Sequence, residues 1–257
     1  MKNAPRSLPL VRALRETARQ PKTPPKPAQK SCIIVFGAHP DDIEIGMAGT
    51  IKRLTLAGND VYSVIATVPD DRPNREREAR HAARVLGIKD VIFLPLTTEE
   101  LGYNRATVGA IDKIIRELNP HSVFTHWIED SHQDHVNVTH CVIAATRKND
   151  FNVYMYEQTI PGGITPAAFR AQYIIDVSPV INEKMEAIRC HQSQIPRNGD
   201  WWVEGVRGRA MYRGYQIRAR YAEAFEIIKI KNDTNLFSAE SAAAAANPLD
   251  QIGAFGD

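Results

Sequence analysis

The stretch Cys32-Ile33-Ile34-Val35-Phe36-Gly37-Ala38-His39-Pro40-Asp41-Asp42 decides the fold of this chain. Its first five residues are an unbroken apolar run, the pattern of a strand buried on both faces and so of a parallel sheet covered by helices. Gly37 ends the run, and a dense polar loop follows. Beyond that loop Ile45, Ala48, Ile51 and Leu54 keep helical spacing, while Gly58 and Asn59-Asp60 stop the helix and turn the chain. Residues 61–68 read as a second strand, so the region opens with a βαβ unit whose crossover is right-handed.

The alternation continues outward. Helices are expected over 74–86, 107–118 and 138–146, with strands over 91–94, 122–125 and 153–156 between and after them. A late strand over 173–177 precedes a helix over 179–191. The expected fold class is α/β: a Rossmann-like, doubly wound, mostly parallel sheet with helices on both faces. We expect one domain over 31–230, a flexible basic Pro/Lys-rich leader over 1–30 and a flexible tail over 231–257 that holds the alanine run 242–246.

Composition narrows the function classes. With 257 residues and 43% hydrophobic content, the chain is long enough for one full α/β core. No run reaches the roughly 18–20 apolar residues needed to cross a bilayer, and the N-terminus lacks the apolar segment of a secretory signal, so no membrane span and a cytoplasmic location are expected. Cys32, Cys141 and Cys190 are odd in number and far apart, which argues against disulfides and thiolate metal sites. The leader carries eight bases against one acid, so the remainder is −5 although the whole chain is +2. An acidic folded part is a poor partner for nucleic acid.

Three loops at the carboxyl ends of strands converge on one face of such a sheet. The first holds His39, Pro40, Asp41 and Asp42. The second holds Arg75. The third, after the fourth strand, holds Glu129, Asp130, His132, Gln133, Asp134 and His135. Two imidazoles and a carboxylate are a known catalytic zinc set that leaves one position open, and His39, Asp42 and His135 supply it. Asp41 is then the expected proton acceptor, and His132, oriented by Asp134, the group that stabilises the oxyanion or protonates the leaving amine. Taken alone, the His39–Asp42 segment is also a turn in which Asp42 caps the next helix. His126 reads either as a support for a ligand carboxylate or as a core histidine, and His191 either as a helix-end residue or as part of the site.

At these residues the sequence resembles the PIG-L (LmbE-like) family of zinc-dependent N-acetylglucosaminyl deacetylases, over about residues 31–230. The family pattern A-H-P-D-D-x-E-x-G appears as Ala38 to Gly46, and its second pattern, H-x-D-H, as His132-Gln133-Asp134-His135, with Gln133 where proline is usual. The resemblance implies His39, Asp42 and His135 as metal ligands, Asp41 as base, and His132 with Asp134 as the catalytic pair. It implies one Zn2+ per chain, with Fe2+ as the other candidate, and removal of an N-acetyl group from an N-acetylglucosamine-type sugar or its small-molecule conjugate, releasing acetate and a free amine. A homo-oligomer is compatible with it. Arg75 is offered as a substrate-binding residue, and Trp201, Trp202 and Tyr215 as a stacking wall. The nearest alternative is a metal-dependent amidase for a different small N-acyl amine. A dinucleotide-binding oxidoreductase is excluded, because repelling carboxylates stand where G-x-G-x-x-G would cradle a pyrophosphate.

Overall fold

The computed structural model describes residues 30–231 except Asn149. The leader and tail assigned from sequence therefore lie, apart from Lys30 and Lys231, outside the described residues. In chain order the elements are β1 (Cys32–Gly37), α1 (Asp42–Leu56), β2 (Asp60–Ile65), α2 (Arg72–Leu86), β3 (Asp90–Phe93), α3 (Arg105–Leu118), β4 (Ser122–Thr125), α4 (Gln133–Ala145), β5 (Asn152–Tyr156), β6 (Tyr173–Asp176), α5 (Ile181–Arg189), the single turn α6 (Ile195–Asn198), α7 (Trp201–Gln216) and β7 (Ala222–Lys229). The strand order is β3-β2-β1-β4-β5-β7-β6. Pairings from β3 through β5 are parallel, and β7 runs antiparallel to both β5 and β6. The doubly wound, mostly parallel sheet holds.

Each apolar strand pattern has a matching layer. One core lies between the sheet and α1, α2, α5 and α7, the other between the sheet and α3 and α4. Ile33, Ile34 and Val35 of β1 are fully buried, as the continuous apolar run requires, and feed the two cores alternately. Ile51 and Leu54 of α1 are fully buried too, each stabilising the fold by roughly 1.5–3 kcal/mol relative to exposure. The strand order reverses between β1 and β4, and at that switch point the loops after both strands lie side by side. No helix among the described residues is long and apolar enough to cross a membrane.

Besides the single turn α6, two elements, α7 and β7, were not expected from sequence. Gly205, Gly208 and Gly214 dilute the helical signal of α7. In β7, Glu223 and Glu226 are buried in a strand, which hides its apolar pattern. Glu223 is buried for a reason: α1 is broken at Met47 (φ −148°, ψ 25°). The break frees backbone groups inside the protein, where an unpaired one costs about 1–3 kcal/mol. The buried Lys184 donates to the carbonyls of Glu44 (3.1 Å) and Ile45 (3.0 Å), while Glu223 accepts from the N–H groups of Gly49 (3.0 Å) and Thr50 (2.6 Å). Lys184 and Glu223 pair with each other at 2.6 Å. Gly46 lies just before the break because a side chain there would collide with the ring of Tyr156.

Candidate metal centre and cleft

The polar loop after β1 is tightly held. Asp42 begins α1 as its first helical residue; the capping position belongs to Asp41, whose side chain makes no capping bond. Asp42 Oδ2 instead accepts from the backbone N–H of His39 at 2.7 Å. Asp41 has φ 102°, a left-handed conformation that costs a non-glycine residue on the order of 1–3 kcal/mol. Arg75, from the start of α2, braces it. The guanidinium donates to the Pro40 carbonyl at 2.5 Å and lies 3.5 Å from the Asp41 carboxylate. Arg75 is 3% exposed and holds the turn, and it also lines the cleft that contains the cluster.

Across the switch point, His135 Nε2 lies 3.3 Å from Asp42 Oδ1, and His39 Nδ1 lies 3.5 Å from Asp42 Oδ2. A four-coordinate ion with bonds near ~2.05 Å holds its donors about 3.3 Å apart, so each of these two spacings, measured to a different oxygen of Asp42, is of the size a shared divalent ion requires. The opposite nitrogen of each ring is committed elsewhere. His39 Nε2 meets Asp134 Oδ2 at 2.9 Å and His135 Nδ1 meets Asp130 Oδ2 at 3.0 Å. Carboxylates only accept, so those two nitrogens carry the protons and Nδ1 of His39 and Nε2 of His135 are left to bind an ion, with a carboxylate behind each imidazole.

His126 and His132 also neighbour this cluster, and groups built from His39, His132 and His135 or from Asp42, His126 and His135 bring their donor atoms within 4.8 Å of one another. His126 is fully buried, and its Nε2 accepts the Ala38 N–H at 2.9 Å, which spends the lone pair an ion would need. Burial and the charge of His135 push its pKa well below the ordinary value, so it stays neutral. Its ring stacks on His135 with centroids 3.9 Å apart, which makes it a wall for that ligand. His132 caps α4 through Nδ1, which accepts the Asp134 N–H at 3.1 Å.

This geometry revises the catalytic pair. The Asp134 carboxylate engages His39, not His132, and reaches His132 only through its backbone N–H. The residue that ties His132 in place is Asp130, whose Oδ1 accepts the His132 backbone N–H at 2.8 Å while Oδ2 holds His135. Asp130 and Gln158, which donates to Asp42 Oδ1 at 2.8 Å, carry functions that sequence did not single out. Gln158 follows β5 and sits 116 residues from its partner, with no local pattern to mark it.

The charges follow from the crowding. Burial alone would lower the pKa of both His39 and His135, but Asp134 and Asp42 raise that of His39 to about 9, and the charge of Asp42 with the Asp130 bond raises that of His135 to about 10. The carboxylates around these two rings thus favour their positively charged form. Burial and the neighbouring Asp42 charge raise Asp41 to about 6, against the pull of His191 and Arg75. His191 is fully buried with Nε2 3.4 Å from Glu44, beneath the Asp41 turn rather than at a helix surface. Two residues on, Ser193 donates both N–H (2.8 Å) and Oγ–H (2.7 Å) to Glu78, so α2 pins this segment.

The cluster lies in a cleft of about 880 Å³. Trp201 and Trp202 line it, but Tyr215, 81% exposed on the same helix, does not. His140 packs on Tyr103 away from the cleft.

A buried carboxylate beside two histidines and a second carboxylate, at the switch point of an α/β sheet, is an arrangement suited to hydrolysis. Residues 34–146 match the family described as PIG-L, GlcNAc-PI de-N-acetylase, and the chain belongs to it. It is 28% identical over 221 residues to the diacetylchitobiose deacetylase of Thermococcus kodakarensis, covering 76% of this chain and 82% of that one. It is 32% identical over 126 residues to the uncharacterized deacetylase YaiS of Escherichia coli, covering 45% of this chain and 68% of that one. The structure of the N,N'-diacetylchitobiose deacetylase from Pyrococcus horikoshii superposes with a TM-score of 0.67 at 28% identity, over 80% of this chain and 88% of that one. The protein is a deacetylase, a hydrolase of amide bonds.

Proposed function

We propose that the chain is a zinc-dependent N-deacetylase that releases acetate from an N-acetylglucosamine-type sugar or conjugate and leaves a free amine. The observation that carries this reading is the disposition of Asp42: its two oxygens face His39 Nδ1 and His135 Nε2 at 3.5 and 3.3 Å, and each ring is backed by a further carboxylate. His39, Asp42 and His135 would hold the ion. When bound, it supplies Lewis acidity to the acetamide carbonyl and to the attacking water.

The remaining chemistry belongs to the chain. Asp41, with a pKa of about 6, is ionised at neutral pH yet basic enough to take the proton of the attacking water. Arg75 and the strained turn fix where that carboxylate sits. His132 stands next to His39, ring centroids 4.9 Å apart; its Nδ1 accepts the Asp134 N–H, so its proton sits on Nε2 and would donate to the oxyanion, while the proton taken up by Asp41 goes to the departing nitrogen. Asp134 holds His39 and, through its N–H, the ring of His132. The same reading takes residues 31–230 as one catalytic domain working in the cytoplasm on a soluble conjugate.

Acetate release from N-acetylglucosamine conjugates, measured on chelated protein and after adding back zinc or ferrous iron, tests the proposal. Zinc-restored release is expected; equal release from the chelated protein overturns it.

A further inference from the structure

Two buried residues next to the proposed base take no part in the chemistry above. Glu44 lies in the first turn of α1 and His191 just after α5, and they are 4% and 0% exposed. Asp41 and Glu44 have the spacing of a reciprocal helix cap, in which each side chain bonds the other's backbone N–H. Asp41 makes no such bond. Its carboxylate is left to the cleft, and Glu44 turns to His191 instead, with Oε2 3.4 Å from Nε2.

A ring of contacts closes around the Asp41 turn. Arg75 of α2 donates to the Pro40 carbonyl at 2.5 Å and lies 3.5 Å from Asp41 Oδ2. Glu78, three residues on and so on the same face of α2, accepts both the N–H and the Oγ–H of Ser193. Ser193 stands two residues beyond His191, His191 faces Glu44, and Glu44 is one turn of α1 from Asp41. Arg75, Glu78, His191 and Glu44 are all buried. Stability alone gives little reason for the last pair, because apolar residues of the same volume serve a core as well as a buried ion pair does. Nδ1 of His191 has no hydrogen-bond partner among the described residues. Its charge has a second target: burial acts against a protonated His191, while Glu44 and then Asp41 act for it. The left-handed backbone of Asp41, φ 102°, is a conformation that persists only where the surroundings impose it.

We propose that Glu44 and His191 are a positioning pair for the base. They grip the Asp41 turn from beneath while Arg75 grips it from α2, so that the carboxylate keeps the one place from which it reaches the attacking water. The inference rests on the deacetylase reading, and its test separates the two. Glu44→Met combined with His191→Leu replaces the pair by apolar side chains of similar volume. Melts of the zinc-free protein check folding, competition against a chromophoric chelator gives zinc affinity, and acetate release by the zinc-loaded protein from N-acetylglucosamine and its β-1,4-linked dimer gives kcat and KM. A misplacement of about 1 Å costs on the order of 100-fold, so kcat is expected to fall about 10- to 100-fold, with KM and zinc affinity each within about threefold of wild type. The same double substitution made in Asp41→Asn should cost less than about threefold, since no base is left to position. Glu44→Gln keeps the shape and removes only the charge; should the apolar pair not fold, it carries the test, with a kcat loss of at least about fivefold that the Asp41→Asn background again abolishes. Unchanged kcat in a folded variant, an equal loss in the Asp41→Asn background, or a fall in zinc affinity large enough to account for the loss overturns the positioning role. Release of acetate from neither sugar by wild type overturns the deacetylase reading, and the role of the pair with it.

Discussion

Replacing Asp130 by alanine isolates the support of one metal ligand from the ligand itself. The carboxylate is almost fully buried and makes two bonds, Oδ2 to the His135 ring at 3.0 Å and Oδ1 to the His132 backbone N–H at 2.8 Å. Its loss leaves the His135 ring free to turn and Nδ1–H without an acceptor, and it loosens the start of α4, where both histidines sit. Removing such a carboxylate from behind a metal-bound imidazole weakens binding by about 10- to 100-fold. At ~1.4 kcal/mol per tenfold, that is roughly 1.4–2.8 kcal/mol of zinc affinity, within the range for one or two hydrogen bonds to a charged group. Competition against a chromophoric chelator measures the zinc dissociation constant, and thermal melts of the chelated variant check that it folds. Asp130→Asn keeps an acceptor for one of the two bonds and should fall between alanine and wild type. A folded Asp130→Ala protein that binds zinc within twofold of wild type refutes the ligand assignment of His135.

Three further outcomes follow from the same structure. Asp41→Asn should reduce turnover by on the order of 10²- to 10⁴-fold while zinc stays bound, checked by steady-state rates alongside metal analysis. For pH, the folded, metal-free protein holds His39 and His135 at about 9 and about 10, above the ~6.5 of an unfolded chain. The stability they contribute is therefore complete below about pH 6.5 and lost as pH rises through 9 to 10; melts of chelated protein should show Tm falling over that window, and a zinc-loaded sample should fall less, because the ion takes over from the protons. Glu223→Gln leaves Lys184 buried without its counter-charge, so it should destabilise the fold by about 3–5 kcal/mol in denaturant titrations, and a loss below 1 kcal/mol would show that the pair does not splice α1.

How much of this was legible in the sequence depended on how local each signal was. The run Cys32–Phe36 and the helical spacing after it reported directly on burial, so the parallel half of the sheet was readable from β1 through β5. The three proposed metal ligands and Asp41 were also visible, because strand-end loops of an α/β sheet converge by topology. What escaped depended on partners far along the chain. Asp130 looked no different from Glu129 beside it until His135 was placed over it. The bracing of the Asp41 turn by Arg75 was hidden because sequence does not show burial. Strand β7 carried the buried Glu223 for the sake of a break in α1 more than 170 residues away, and glycines masked α7, the helix that walls the cleft.

The switch point has a mechanical side as well. Helix α1 belongs to the layer on one side of the sheet and α4 to the layer on the other, and each begins with groups assigned to the ion, Asp42 in the first turn of α1 and His135 in that of α4. An ion held there would act as a rivet through the top edge of the molecule, fastening two separately packed shells. Pulling the rivet should fray both helix starts together and leave the strands beneath them shut, a footprint that amide hydrogen exchange resolves turn by turn.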